Sequence, residues 1–297
     1  MRKSIDLTAA LAAAEQHEAQ QLTLSELVQA WSTIALDGSN TRLRKWVLAL
    51  GSKSAWDIAS AELQTCAHAM VQQGYSPSSA NRDLSALGSA YRWAINRRLS
   101  PRGFRSPTVD VPRMEEPIRR VEVTAEELER LRARARAFRD RRFGVFVELL
   151  VDTGARKSEL LDRRWTDVDL ERGEIVCSMT KTGVPRVLHF QPETTALIRR
   201  VFTRREPEAL VFEGRVPGCP IDFKKAWHTT VADLGMPGLR IHDIRHVAAA
   251  RLLRSGNTLG VAAQVLGHSP QVLARRYGHL ETAALRQAQE RAWGTAA

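Results

Sequence analysis

Five residues in the second half of the chain could together act on a phosphate ester. They comprise two guanidinium groups, two imidazoles and one phenol: Arg156, Arg245, His242, His268 and Tyr277. A guanidinium grips two phosphate oxygens at once and stays charged at any relevant pH. The imidazoles supply hydrogen-bond donors, and the phenol is the candidate nucleophile of the set. This combination suits a DNA phosphodiester better than a small neutral substrate.

Cleavage of a DNA phosphodiester without a metal sets three tasks. The catalyst must neutralise the pentacoordinate phosphorane, deprotonate the nucleophile and protonate the leaving oxygen. Preorganised cations aimed at the developing charge are usually the largest part of catalysis. Arginine fits that task, and the pattern of these five residues does not indicate a metal cluster.

Each of these residues, taken alone, also has an ordinary structural interpretation. Arg156 follows a Thr-Gly pair, and we expect it to project from the start of a helix, where backbone N–H groups favour an anion. His242 and Arg245 are three positions apart, so on a helix they share one face. His268 follows a glycine turn, and Tyr277 lies in a polar, basic stretch. Taken one at a time these signals are weak, since a surface arginine, a chance pair and a partly buried structural tyrosine are the ordinary alternatives.

The charge of the chain favours a polyanionic partner. Its 297 residues contain 44 Lys and Arg against 33 Asp and Glu, a formal net charge of +11. Each cationic contact to a phosphate releases condensed counterion, so a protein that lies along DNA gains from such a surplus. A generally basic surface would explain the same number, and the charge alone does not decide between the two.

The cysteines and the hydropathy bound the cellular context. Cys66, Cys177 and Cys219 are odd in number and far apart, which indicates neither a disulfide framework nor a zinc site. A reducing cytoplasm is the simplest context. No apolar run approaches the roughly 20 residues that span a bilayer. Residues 1–20 are interpreted as a tail or short helix rather than a secretion signal.

Two domains position the candidate residues in this prediction. Residues 21–104 follow a helical pattern, with a capping box at Thr23 and a helix that begins at Ser76-Pro77. The arginines of that helix fall mostly outside its apolar stripe. They could contact a DNA backbone, although a solvated face explains them as well. Residues 105–120 are rich in proline and arginine, which predicts an extended basic linker.

Residues 121–297 form the predicted second domain. A capping box at Thr124 opens its first helix, and an apolar helix from Phe143 to Val151 follows. Between residues 165 and 190 the pattern changes to short strands, with a hairpin turn at residues 180–183. From about Pro192 onward the pattern is mostly helical.

The order and spacing of all these signals resemble the tyrosine recombinase (phage integrase) family. The motifs are Thr153-Gly-Ala-Arg156-Lys-Ser-Glu159-Leu-Leu, a hairpin lysine at Lys181, His242-Asp-Ile-Arg245-His246, Leu266-Gly-His268-Ser, and Tyr277. The match extends from about Val121 to Leu280, and the helix around Ala80 to Ala94 resembles the last helix of the family's core-binding domain. The simpler two-domain form, like that of the Xer and Cre recombinases, is closer in shape than the lambda-type form with an added N-terminal module. The resemblance implies a mainly α fold with a small antiparallel β-sheet. A helical, SAM-like core-binding domain and an α+β catalytic domain would form a C-shaped clamp on DNA.

The resemblance also implies which residues hold the phosphate. Arg156 and Arg245 would clamp the non-bridging oxygens of the scissile phosphate, and His268 would donate a hydrogen bond to one of them. Glu159 would orient these residues without contacting the phosphate itself.

The remaining matched residues would carry the bond exchange. Tyr277 would attack the phosphorus and form a 3′-phosphotyrosine, and His242 would accept the phenol proton or hydrogen-bond the phosphate. Lys181 would protonate the leaving 5′ oxygen, although Lys157 is an alternative. Attack by another 5′-hydroxyl reverses the step, so the resemblance implies no metal, no ATP and no cofactor.

The implied partners are double-stranded recombination sites and further copies of the chain. A tetramer on two duplexes would exchange a final helix after Tyr277, whereas packing of that helix on its own domain is the plainer alternative. The need for an accessory or directionality factor stays open, and so does the biological role: integration, transposition, cassette capture or dimer resolution. Two other functions are compatible with the motifs, a type IB topoisomerase-like enzyme and a DNA-binding regulator that does not cut.

Overall fold

A computed structural model describes residues 21–35, 39–116, 121–178, 185–267, 269–275, 277, 289 and 293. The chain divides into two compact units, Met1–Pro117 and Ile118–Ala297. The predicted N-terminal tail, the hairpin turn with Lys181, His268 and nearly all of the predicted final helix lie outside the described residues. Within the described ranges, no helix is long and apolar enough to cross a membrane.

The described part of the first unit contains four α-helices. They are α1 (Leu24–Ser32), α2 (Ser39–Leu50), α3 (Ser60–Gln72) and α4 (Pro77–Asn96). The predicted capping box at Thr23 and the predicted start of α4 after Ser76 are both confirmed. The core of this unit forms around the large buried rings of Trp46 and Tyr91.

The segment that follows α4 folds onto the same unit. Its 3₁₀ helix at Pro107–Val109 accepts a hydrogen bond from Ser60 Oγ to Pro107 O at 2.9 Å. Asn81 bonds both ways with Met114, since its Nδ2 donates to the Met114 carbonyl and its Oδ1 accepts from the Met114 N–H. Residues 105–116 therefore pack along the first unit, and the rest of the predicted linker, residues 117–120, lies outside the described residues.

The second unit combines helices with a small sheet. Its helices are α5 (Ala125–Arg136), α6 (Arg141–Thr153), α7 (Lys157–Leu161), α8 (Pro192–Val201), α9 (Lys224–Asp233), α10 (Ile241–Arg254) and α11 (Leu259–Leu266). The antiparallel strands β1 (Val168–Asp169), β2 (Glu174–Cys177) and β3 (Arg186–His189) pair in chain order. The mainly helical fold with a small antiparallel sheet is confirmed, and so is the capping box at Thr124.

Helix α6 runs through the core of this unit and ends at the candidate site. Almost all of its residues are buried, because its apolar positions surround the helix rather than forming one stripe. Gly154 ends it with φ of +59°, and a Cβ there would lie 2.5 Å from Leu266 Cδ2 and 2.9 Å from Ala248 Cβ. Only glycine permits both this backbone conformation and this approach. The ends of α6 and α11 therefore meet against α10.

Candidate active site

One buried carboxylate organises the cationic part of the site. Arg156 is the N-cap of α7, and its backbone N–H donates to Glu159 Oε2 at 2.8 Å while its Nη1 donates to Oε1 at 2.6 Å. Arg186 Nη2 donates to Oε2 at 3.0 Å, and Arg245 Nη1 lies 3.9 Å from the same oxygen. Burial alone would raise the pKa of Glu159, but the Arg156 N–H and the charges of Arg186 and Arg156 lower it below its usual value. Three guanidinium groups thus share one carboxylate, and the cluster carries an excess of positive charge suited to a phosphate.

The same three arginines fix the end of α11. Its last carbonyls accept one hydrogen bond each: Val265 O from Arg186 Nη1 at 3.2 Å, Leu266 O from Arg245 Nη2, and Gly267 O from Arg156 Nη2 at 2.9 Å. Carbonyls at a helix C-terminus lack intrahelical partners and carry partial negative charge, so cations stabilise them. Consecutive residues that lead directly into His268 are therefore tied to the arginine cluster.

Arg245 is the most deeply buried of the three arginines, with a relative exposure of 1%. Its Nη1 also donates to the carbonyl of Gly154 at 2.9 Å. Burial lowers the pKa of Arg245 to about 9, and the neighbouring charges of Arg156 and Arg186 act in the same direction. The guanidinium remains protonated at neutral pH, and its bonds to two carbonyls hold it in one orientation.

The candidate nucleophile lies beside α10. The Tyr277 hydroxyl is 2.7 Å from His246 Nδ1, and the His246 ring meets the His242 ring edge-on with centroids 5.1 Å apart. Tyr277 is buried, with its ring in a small apolar cluster that includes Leu253 and Leu273. Its charge also bears on Arg245, since a phenolate there would raise the pKa of that guanidinium. One helix thus carries the imidazole that meets the phenol, a second imidazole beside the first, and the guanidinium of Arg245.

Comparison with known proteins decides the family. Residues 122–284 match the phage integrase family, and residues 27–98 match the N-terminal SAM-like domain of phage integrases. This chain belongs to the phage integrase family of tyrosine recombinases. Tyrosine recombinase XerC of Mycobacterium tuberculosis is 32% identical over 234 residues, which cover 71% of this integrase and 75% of the relative. XerC of Xanthomonas campestris pv. campestris is 29% identical over 252 residues, or 80% and 74% of the two chains.

Solved structures share the fold of this integrase. The Tn1549 transposon integrase in complex with a circular intermediate DNA aligns with a TM-score of 0.70 at 19% identity, covering 91% of this integrase and 99% of that chain. A lambda integrase dimer bound to a COC' core site aligns with a TM-score of 0.63 at 19% identity, covering 93% and 81%. The family resemblance read from the motifs is confirmed, and with it the prediction of a site-specific recombinase over the two alternatives.

The predicted site residues of the integrase fall into two groups. The structure gathers Arg156, Glu159 and Arg245 into the cluster and presents His242 and Tyr277 beside it: these five are the described members. Lys181 and His268 lie outside the described residues. Their roles stay predictions from the sequence.

Lys157, the alternative to Lys181, pairs at the surface. Its Nζ donates to Asp222 Oδ1 at 3.0 Å, and the Asp222 side chain is mostly exposed. The same lysine lines a cavity of about 570 Å³ whose wall continues through His228 and Arg240 to His242. Lys157 and His242 therefore line the same cavity, and the pairing with Asp222 holds Lys157 at its rim.

Arg186 belongs to this site, and sequence reasoning treated it only as part of a strand. It shares the inward face of β3 with Leu188, whereas Val187 points outward. A charged residue at an inward strand position needs a buried partner. That position was the available signal, and the partner proves to be Glu159.

We expect Arg186→Ala to slow DNA cleavage by about 10- to 100-fold, because it releases Glu159 Oε2 and the Val265 carbonyl together and so loosens the clamp. The measurement is single-turnover cleavage of a nicked duplex. Arg199→Ala is the matched control, since Arg199 pairs with Glu171 at the surface of the same unit. Equal cleavage rates for the two variants would show that Arg186 does not position the clamp.

Proposed function

We propose that this integrase cuts and rejoins DNA through a covalent 3′-phosphotyrosine on Tyr277, without a metal ion or ATP. The observation that carries the proposal is the position of the Tyr277 hydroxyl, 2.7 Å from an imidazole of α10, the helix that also carries Arg245. Helix α10 supplies a candidate base and an oriented cation, and the nucleophile bonds to that base. Phosphoryl transfer needs all three.

The arginine cluster would bind the scissile phosphate. Arg156 and Arg245 are oriented before any substrate arrives. The guanidinium of Arg156 donates to Glu159 and to the Gly267 carbonyl, and that of Arg245 donates to the Gly154 carbonyl. Such preorganisation stabilises charge that develops on the non-bridging oxygens at no further cost in reorientation. His268, which follows the carbonyls held by the cluster, would donate to one of those oxygens.

The exchange of phosphodiester bonds would need no outside energy source. Tyr277 Oη forms a bond to phosphorus while the bond from phosphorus to the 5′ oxygen breaks, and Lys181 protonates that oxygen. The phenol proton passes to an imidazole of α10. Attack by a 5′-hydroxyl from another strand reverses each transfer, so the phosphodiester is restored without an energy source.

The substrate would be double-stranded DNA held by several copies of the chain. The net charge of +11 favours DNA. A lambda integrase tetramer bound to a Holliday junction shares the fold, with a TM-score of 0.61 at 19% identity over 90% of this chain and 82% of that one. We therefore propose a tetramer on two duplexes that exchanges the final helix, acting in the cytoplasm on the nucleoid.

Covalent trapping tests this function. The purified protein is incubated in EDTA with nicked duplexes, drawn from a randomised library and from the DNA that flanks its gene. We expect an adduct that resists detergent, with a 3′-phosphate mapped by mass spectrometry to Tyr277. Tight binding without an adduct, also on paired sites, would instead identify a DNA-binding regulator that does not cut.

A further inference from the structure

The hydrogen bond to the nucleophile points to a residue that the sequence motifs leave without a role. Tyr277 Oη lies 2.7 Å from His246 Nδ1, and 3.4 Å from the carbonyl oxygen of the same residue. An O–H donor bonds at about 2.5–3.0 Å to a good acceptor, so the carbonyl is too far for the main bond. Nδ1 accepts from the phenol when the ring carries its own proton on Nε2. In that tautomer the hydroxyl proton points at Nδ1, whose lone pair can take it.

From this geometry we infer that His246 takes the proton of Tyr277 during attack, which deepens the proposed function and rests on it. The Oη–H bond breaks as Nδ1 gains the proton and becomes part of an imidazolium, while Oη bonds to phosphorus and the 5′ oxygen leaves with a proton from Lys181. In the rejoining step His246 returns its proton to the departing phenol.

The neighbourhood of His246 supports this role. Its ring is half-buried, which limits competition from water, and Tyr277 is packed by Leu253 and Leu273 so that the phenol stays in register with Nδ1. A candidate base must lie within hydrogen-bond reach of the proton it removes, and His246 meets that requirement. His242 lies four positions earlier on the same face, with its ring 5.1 Å away and exposed. Of the two roles that the family resemblance gives His242, the hydrogen bond to the phosphate is then the one that remains.

Variants of His246 separate proton removal from positioning. We expect His246→Ala to slow adduct formation by about 100- to 10,000-fold, the usual contribution of a general base, with DNA binding unchanged. His246→Asn puts an amide oxygen close to the place of Nδ1, so it can still accept the phenol hydrogen bond but cannot take the proton. It should therefore remain nearly as slow as His246→Ala. His189→Ala, which removes an exposed histidine of the same unit, is the matched control.

Two further measurements assign the defect to the nucleophile. Added imidazole should speed His246→Ala in proportion to its concentration and leave His189→Ala unchanged. A substrate with sulfur in place of the bridging 5′ oxygen releases a thiolate that needs no proton. With that substrate, Lys181→Ala should form its adduct at close to the wild-type rate, whereas adduct formation by His246→Ala should stay slow.

Three results would overturn the inference while the proposed function stands, provided that the wild-type protein forms its adduct on Tyr277. They are a rate for His246→Ala within about threefold of wild type, full recovery in His246→Asn, and rescue of His246→Ala by the bridging sulfur. Absence of the wild-type adduct would instead contradict the proposed function itself.

Discussion

Tyr277→Phe is expected to abolish covalent adduct formation and to leave DNA binding intact. The substitution removes the nucleophilic oxygen alone, since the ring keeps its packing against Ala249, Leu253 and Leu273. The lost hydrogen bond to His246 should lower the free energy of unfolding by about 1 kcal/mol. Detergent-resistant adducts, gel-shift affinity and the thermal midpoint, measured on the same preparation, check the three parts of this expectation.

The other tyrosines make the experiment decisive. The chain holds three, and Tyr91 is buried in the first unit, where its hydroxyl donates to the Ala55 carbonyl and burial raises its pKa. Tyr75 also lies in the first unit, with Lys45 over its ring. An adduct that persists in Tyr277→Phe at the wild-type rate would show that some other side chain attacks, and the assignment of Tyr277 would be wrong.

Local signals in the sequence predicted the elements that hold the site. The capping boxes at Thr23 and Thr124 and the helix start at Ser76 depend on residues three or four positions apart, so the sequence states them directly. The position of Arg156 at the start of a helix and of His242 and Arg245 on one helix follow from the same short-range logic. Spacing could therefore place these residues before any tertiary contact was known.

Contacts between distant segments could not be predicted in this way. In the sequence, Arg186 is only a polar residue of a predicted strand. Its role depends on tertiary contacts of β3 with Glu159 and the end of α11. The contact of His246 with Tyr277 joins residues 31 positions apart, and no period in the sequence encodes it. Composition predicted a linker over residues 105–120, and it could not show that Met114 bonds to Asn81 on an earlier helix. In each case a tertiary partner outweighed a local pattern.

Arg245→Lys is expected to slow adduct formation by about 100- to 1,000-fold, the usual effect of losing one preorganised donor to a developing oxyanion. The guanidinium donates to the carbonyls of Gly154 and Leu266 through two different nitrogens. An ammonium has a single nitrogen at the end of a flexible stem, so it cannot hold both carbonyls and face a phosphate in a fixed orientation. The burial that lowers the pKa of Arg245 would also lower that of an amine in its place, which further weakens the charge offered to the phosphate. Single-turnover rates at saturating DNA measure the loss.

Loss of stability must be separated from loss of catalysis in this variant. Leaving a buried carbonyl without its donor costs about 1–3 kcal/mol, so Arg245→Lys should also melt earlier than wild type. Ile244→Ala is a suitable control, because it removes buried apolar contacts of the same helix with the main core of the second unit, at a cost of about 2–5 kcal/mol. Both variants are assayed below their melting transitions, where each is fully folded. If Ile244→Ala cleaves at close to the wild-type rate while Arg245→Lys does not, the defect belongs to the phosphate clamp. Equal slowing of the two variants would mean that Arg245 acts through the packing of α10, and the clamp would have to be reassigned to Arg156 alone.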